Sequence, residues 1–307
     1  MMNSSTVLQE EKMLLSVSNV KKMYKDFTLG EISFELPEGY ILGLIGKNGA
    51  GKTTLMNCII GAIDYKGTVA VEGAVNTAHK RAATEKIGFI VDEAPFFKKE
   101  TLGRNGELLG TLYDDWNENN FYEYLKKFEL HYDSEYETLS KGMETKFQLA
   151  FALAHSPRLL ILDEPTGGLD PVFRRSFLKI LQDAVNEEML SVIISTHLTT
   201  DLDKVADYVM LLDEGRMVFY ENKEMLAEKY PLISGNTEVL SEIPKTAYKR
   251  VKRKGNLFHT ILTDTEYLKM HRDVAMKVQI ERTSLEEIMY YLCTPDMFAV
   301  REDNQDV

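Results

Sequence analysis

Eight consecutive residues, Gly46-Lys47-Asn48-Gly49-Ala50-Gly51-Lys52-Thr53, carry the most specific chemistry in this chain. They match G-x-x-x-x-G-K-[ST], which average residue usage would place by chance in about one chain in a hundred of this length. Glycines at 46, 49 and 51 let the backbone curl until its N–H groups point into one anion-sized cavity. A helix beginning at Lys52 adds partial positive charge there. Lys52 can then reach the β- and γ-phosphates of a nucleoside triphosphate, and the Thr53 hydroxyl can ligate Mg2+, with Thr54 next on the first helical turn. The flanks agree. "ILGLI" reads as a buried strand, and the helix from Lys52 to Ile60 is closed by Gly61.

A second acidic constellation closes the apolar run "LLILDEP". A near-continuous apolar strand belongs in the middle of a parallel sheet, and ligands collect at the C-terminal ends of such strands. Asp163 is placed to hold Mg2+ or its water shell. Glu164, one residue on, would face the γ-phosphate and orient the attacking water, acting as its general base or polarising it. GTPases and small-molecule kinases also use phosphate loops. The nearest approach to a guanine-reading Asn-Lys-x-Asp is Asn222-Lys223-Glu224-Met225, which lacks the Asp, and the Asp-Glu doublet favours hydrolysis over transfer to a hydroxyl.

These side chains need a scaffold. From Leu14 to Ala227 short apolar strands alternate with amphipathic helices, the pattern of an α/β domain with a mainly parallel sheet. The opening residues read as successive strands with turns at Gly30 and at Pro37-Glu38-Gly39. Residues 94–156 read as a helical insertion, whose last helix, beginning after Ser140, is expected to run to Ser156, before Pro157. After "ENKEMLAEKYPLISG", read as a helix and linker, come weak strand signals and a last helix capped by Thr283 or Ser284. The expected division is a nucleotide-binding domain over 1–230 and a C-terminal α+β accessory domain over 231–307.

Composition excludes several classes. No apolar run approaches the eighteen or so residues of a membrane span, and the N-terminus lacks a basic region followed by an apolar block, so a cytoplasmic location is expected. A net charge of −12 opposes general affinity for nucleic acid. The basic run "KRVKRKGN" departs from that balance and reads as a solvated turn between strands, with contact to anionic lipid headgroups as the alternative. Cys58 and Cys293 are far apart and read as reduced core thiols.

Together these residues resemble the nucleotide-binding domain of ATP-binding cassette (ABC) proteins over about Leu14 to Ala227, with the elements in family order. "GKNGAGKTTL" is similar to the Walker A motif, and "LLILDEPTGGLDP" to Walker B and the D-loop. "VIISTH", ending in His197, is similar to the switch-histidine strand, and Tyr24 to the aromatic that stacks on adenine. The resemblance implies a P-loop NTPase core with an antiparallel β subdomain and a head-to-tail dimer, the simplest form a homodimer, with two ATP molecules between subunits. In that arrangement Ser140 and Gly142 of "LSKGM" would serve the partner's ATP and Asp170 would contact the opposing subunit. Two motifs depart from the family pattern. Lys141 and Met143 replace Gly and Gln of the signature, and Asp92 stands where a metal-sensing glutamine is usual. Lys141 is expected either to touch the γ-phosphate or to face a carboxylate across the dimer. Both departures resemble a subgroup of bacterial ABC-2 type exporter ATPases, the company of GntR-associated and phenol-soluble-modulin exporters. The function implied is that of an exporter ATPase driving separate permease subunits, which would dock near Asp92 to Phe97. An importer ATPase, and a soluble ABC protein acting on ribosomes or DNA, are the alternatives.

Overall fold

The computed structural model describes residues 12–77, 80–81, 83–91 and 94–293. Its centre is a six-stranded sheet in the order β11 (Arg216–Asn222), β10 (Tyr208–Asp213), β3 (Ile41–Ile45), β9 (Ser191–Ser195), β8 (Leu159–Asp163), β7 (Ile87–Ile90). All pairs are parallel except β10–β11, a hairpin at one edge. β3 and β9 are buried at every position, as apolar strands enclosed on both faces must be. Each fully buried Ile or Leu there contributes roughly 1.5–3 kcal/mol over an exposed one.

Two layers cover this sheet. On one side lies an antiparallel sheet in the order β2 (Thr28–Pro37), β1 (Met13–Met23), β4 (Lys66–Val71), β5 (Ala74–Thr77), β6 (Lys80–Arg81). Between the sheets runs α1 (Lys52–Ile60), whose Leu55, Met56, Cys58 and Ile59 enter the shared core. The β1–β2 turn falls at Tyr24–Phe27, not at Gly30. Gly30 instead sits inside β2, where its N–H donates to the Gly215 carbonyl at 2.7 Å. A Cβ on Gly30 would lie 3.2 Å from that oxygen, so the glycine serves close approach rather than a turn.

On the other side pack α2 (Leu102–Gly110), α3 (Glu118–Lys127), α4 (Lys141–Leu153), α5 (Pro171–Glu188) and α6 (Thr199–Val205). α4 stops at Leu153, short of the expected Ser156. The Ala154 carbonyl accepts the Asn117 N–H that opens α3, and Ser156, before Pro157, takes a left-handed φ of 51°. Phe96 packs its ring 4.7 Å from Phe147 and 5.2 Å from Phe151, whereas its neighbour Phe97 is 49% exposed, so "APFF" is divided between core and surface.

Beyond α7 (Lys223–Lys229), "PLISG" is not a linker. It forms β12 (Leu232–Asn236), an inner strand of a third sheet ordered β13 (Lys252–Lys254), β14 (Leu257–Ile261), β12, β15 (Val278–Glu281). This sheet holds its own small core with Ile233, Phe258 and Leu262, supported by α8 (Thr237–Leu240), α9 (Thr265–Met270) and α10 (Arg272–Ala275). The last helix, α11 (Leu285–Leu292), is capped by Ser284 through a capping box with Glu287. Its Leu285 and Ile288 return to the main core beside Leu202 and Val205 of α6. The basic run forms the exposed strand β13 and its turn into β14. Both cysteines are buried thiols.

Candidate functional site

The phosphate loop leaves β3 and enters α1 at Gly51, as the sequence requires. The β10–β11 hairpin braces it from outside. Gly46 has φ 152°, and a Cβ there would sit 2.4 Å from the Leu212 carbonyl oxygen. The Gly215 N–H donates to the Ala50 carbonyl at 3.0 Å. Lys52 is 7% exposed, and its ammonium donates back to the Gly46 and Lys47 carbonyls at 2.7 and 3.2 Å. Burial draws its pKa below the ordinary lysine value, against the opposing pull of Glu164 and Asp163.

Parallel pairing of β8 with β9 brings the carboxylate pair to this loop. Asp163 accepts the Thr53 hydroxyl at 2.7 Å on one oxygen and the Ser195 hydroxyl at 2.6 Å on the other. Glu164 leaves the strand in a left-handed conformation, φ 50°. Its N–H donates to the Ser195 carbonyl at 3.1 Å, and its carboxylate meets His197 Nδ1 at 2.8 Å. A non-glycine residue held there costs on the order of 1–3 kcal/mol, a strain that recurs at functional sites. Lys47, Asn48, Gly49, Gly51, Lys52, Thr53, Thr54, Asp163 and Glu164 line one cleft of about 360 Å³.

Two residues the sequence reading passed over belong here. Ser195 orients Asp163 from the neighbouring strand; its position two residues before His197 was the available signal. Phe27 lines the cleft, and its ring lies 6.4 Å from that of Tyr24 at 33°. Tyr24 itself is 47% exposed, with Lys22 Nζ 5.3 Å above its ring, and stands outside the cleft lining. An aromatic three residues beyond Tyr24 in an inter-strand turn could have drawn notice.

Ser140, Gly142 and Asp170 line no part of this cleft. Ser140 caps α4, accepting the Met143 N–H at 3.4 Å, and Asp170 caps α5, accepting those of Val172 and Phe173 at 3.0 Å. Lys141 lies 4.0 Å from Glu144 of its own helix. Asp92 lies outside the described residues; its neighbour Val91 donates its N–H to Gln148 at 3.1 Å.

The ABC transporter family profile matches residues 29–167, the stretch that contains both the loop and the carboxylate pair. The lantibiotic transport ATP-binding protein SrtF of Streptococcus pyogenes is 31% identical over 236 residues, spanning 75% of this chain and 99% of that protein. The chain belongs to the ABC transporter family. The cassette is also 30% identical over 209 residues to the bacitracin transport ATP-binding protein BcrA of Enterococcus faecalis, covering 67% of this chain and 68% of that one. Among solved structures, cbiO1 of Clostridium perfringens, part of the ABC transporter complex cbiONQ, superposes with a TM-score of 0.61 at 27% identity over 71% of this chain and 92% of its own. A nucleotide-free ATP-binding cassette from an ABC transporter, 22% identical with a TM-score of 0.62 over 70% of this chain and 94% of its own, shares the fold. The cassette is therefore a nucleotide-binding ATPase built on the P-loop NTPase fold. Among its described residues no helix is long and apolar enough to cross a membrane.

Proposed function

We propose that this cassette is the ATP-hydrolysing subunit of a bacterial exporter, working as a head-to-tail dimer beneath a separate membrane permease. The observation that carries the proposal is the joining of Thr53 to Asp163 at 2.7 Å and of Glu164 to His197 at 2.8 Å, at the edge of one phosphate cleft. The similarity to ATP-binding proteins named for lantibiotic and bacitracin transport and for linearmycin resistance supports the direction of transport.

The Thr53 hydroxyl and the Asp163 carboxylate are hard oxygen donors side by side, and they fit Mg2+. When bound there, Mg2+ would neutralise charge on the β- and γ-phosphates. Among the described residues no cluster of three or more His, Cys, Asp or Glu side chains suits a metal, in keeping with an ion that fills most of its shell with phosphate oxygens and water. Lys52 exchanges its two backbone carbonyls for phosphate oxygens, a stronger charge-assisted contact. Glu164 takes a proton from the attacking water. His197, donating from Nδ1, holds that carboxylate in place, and Tyr24 packs on the adenine.

Ser140, Gly142 and Asp170 act on the second copy. The Ser140 hydroxyl and the exposed start of α4 present a capped helix N-terminus to the partner's γ-phosphate. Asp92 would sense the metal. The permease docks on the helical insertion, where Phe96, Leu109, Leu112 and Phe151 line an apolar hollow of about 110 Å³ and Leu112 is 69% exposed. The described residues 231–293 would act as an accessory domain on the cassette. The test is ATP-dependent accumulation of a cationic peptide antibiotic in inside-out vesicles holding permease and cassette. Uptake that persists with Glu164→Gln, or uptake only into right-side-out vesicles, overturns the exporter proposal.

A further inference from the structure

Asp201 is a buried carboxylate with no part in the chemistry above. It lies in the first turn of α6, shortly after His197, and is 2% exposed. Its Oδ1 faces Arg174 Nε of α5 at 3.8 Å, and its Oδ2 has no hydrogen-bond partner among the described residues. A carboxylate taken out of water destabilises a fold unless it is paired, and apolar side chains would join two helices at least as well. What a charged pair adds is a fixed register between the elements that carry it.

Those two elements start from the reacting carboxylate and from its histidine. After Glu164 the chain makes a tight turn, with the Gly167 N–H donating to the Glu164 carbonyl at 3.1 Å, and enters α5 at Asp170. The Arg174 N–H donates to the Asp170 carbonyl at 2.9 Å, which places Arg174 on the first turn of that helix. After His197 the chain enters α6, where the Asp201 N–H donates to the Leu198 carbonyl at 2.9 Å. The Glu164–His197 contact at 2.8 Å and the Arg174–Asp201 pair at 3.8 Å therefore close one ring of chain from opposite sides. Further along the same helices, Gln182 Nε2 donates to the Lys204 carbonyl at 3.3 Å.

The C-terminal body backs α6 on another side. Leu285 and Ile288 of α11 share a core with Leu202 and Val205, and the Asp203 carboxylate accepts the Leu285 N–H. A cleft of about 750 Å³ lies between this body and Lys47 and Asn48 of the phosphate loop. With α6 held from behind, the Arg174–Asp201 pair fixes where α5, and with it Glu164, stands relative to His197.

We propose that Asp201, acting through Arg174, is a positioning residue for ATP hydrolysis, holding the Glu164–His197 pair in register. The inference rests on the roles proposed above for Glu164 and His197. Neither Asp201 nor Arg174 lines the phosphate cleft, so the pair bears on turnover and not on nucleotide affinity. A displacement of about 1 Å at the reacting groups costs on the order of 100-fold in rate.

The experiment measures steady-state ATPase of the full-length chain with MgATP. Asp201→Asn keeps the shape and removes the charge; it is expected to lower kcat about 10- to 100-fold with KM for ATP unchanged within about twofold. Arg174→Gln should match it, and the two together should cost no more than either alone. Asp201→Glu, long enough to reach Arg174, should restore most of the rate. In a His197→Ala background Asp201→Asn should cost less than about twofold, because the residue through which it acts is gone. A merely structural role would instead multiply the two losses. Arg174 is half-buried, so Arg174→Gln keeps the test valid if Asp201→Asn fails to fold. Parental kcat in both variants, or a loss that multiplies that of His197→Ala, overturns the positioning role and leaves Glu164 and His197 in theirs. Parental kcat in Glu164→Gln overturns the reading on which it rests.

Discussion

Glu164 and His197 meet twice: the carboxylate lies 2.8 Å from the imidazole Nδ1 and also accepts the His197 backbone N–H at 3.3 Å. They sit at the ends of adjacent parallel strands, and Glu164 adopts a left-handed backbone to make the contact. Two residues that hold each other this way act as a unit, so their removal should not be additive. Glu164→Gln should lower turnover by about 10²–10⁴-fold, the span for loss of general-base catalysis. Adding His197→Ala to that variant should lower it little further. A double variant whose loss equals the product of the single losses would separate the two roles. Steady-state ATPase rates decide it.

Lys52→Ala removes an ammonium that is already buried and aimed at the loop. ATP affinity by calorimetry should fall about 100-fold, the equivalent of one or two charge-assisted hydrogen bonds. Unchanged affinity would contradict the phosphate-loop assignment.

Asp163 accepts hydroxyls from both Thr53 and Ser195. Asp163→Asn should raise the Mg2+ concentration needed for half-maximal turnover by about tenfold or more, and Ser195→Ala should raise it less. An identical Mg2+ dependence in Asp163→Asn would remove that residue from the metal site.

Ser140 lies off the phosphate cleft of its own chain. Ser140→Arg should therefore leave monomer ATP binding intact and block ATP-driven dimerisation; a normal dimer in light scattering would show that "LSKGM" is no signature. Lys141, 4.0 Å from Glu144, should alter turnover when replaced by Gly, through the phosphate or through a carboxylate across the dimer.

His155 is 2% exposed, and burial pulls its pKa down to about 4 while its ring stacks 4.1 Å from Tyr113. The folded chain therefore keeps it neutral where the unfolded chain protonates it. Its share of stability is complete above the unfolded value of 6.5 and is lost as pH falls to about 4. On the order of 3 kcal/mol is at stake across that window. His155→Gln should remove this component of the acid sensitivity in urea unfolding measured at pH 7 and pH 4.5.

Local chemistry made much of this protein legible in its sequence. A phosphate loop needs glycines, a lysine and a hydroxyl at set intervals along one stretch of backbone, so Gly46–Thr53 announces itself, and so do the buried strands either side of the carboxylates. Where the expectation failed, a distant partner had overridden local preference. Gly30 reads as a turn until the 213–216 hairpin is seen to press on it, and "PLISG" reads as a linker until β14 and β15 flank it. Ser195 carries no motif of its own and matters because parallel pairing sets it opposite Asp163. The residue types that can bind and cleave a phosphate anhydride were thus determined by sequence alone. Which residue holds which, and that the C-terminal body stands across a cleft from the phosphate loop, were decided by tertiary structure. Contacts between residues more than a hundred positions apart depend on strand pairing and helix docking, which leave no spacing along the chain to read.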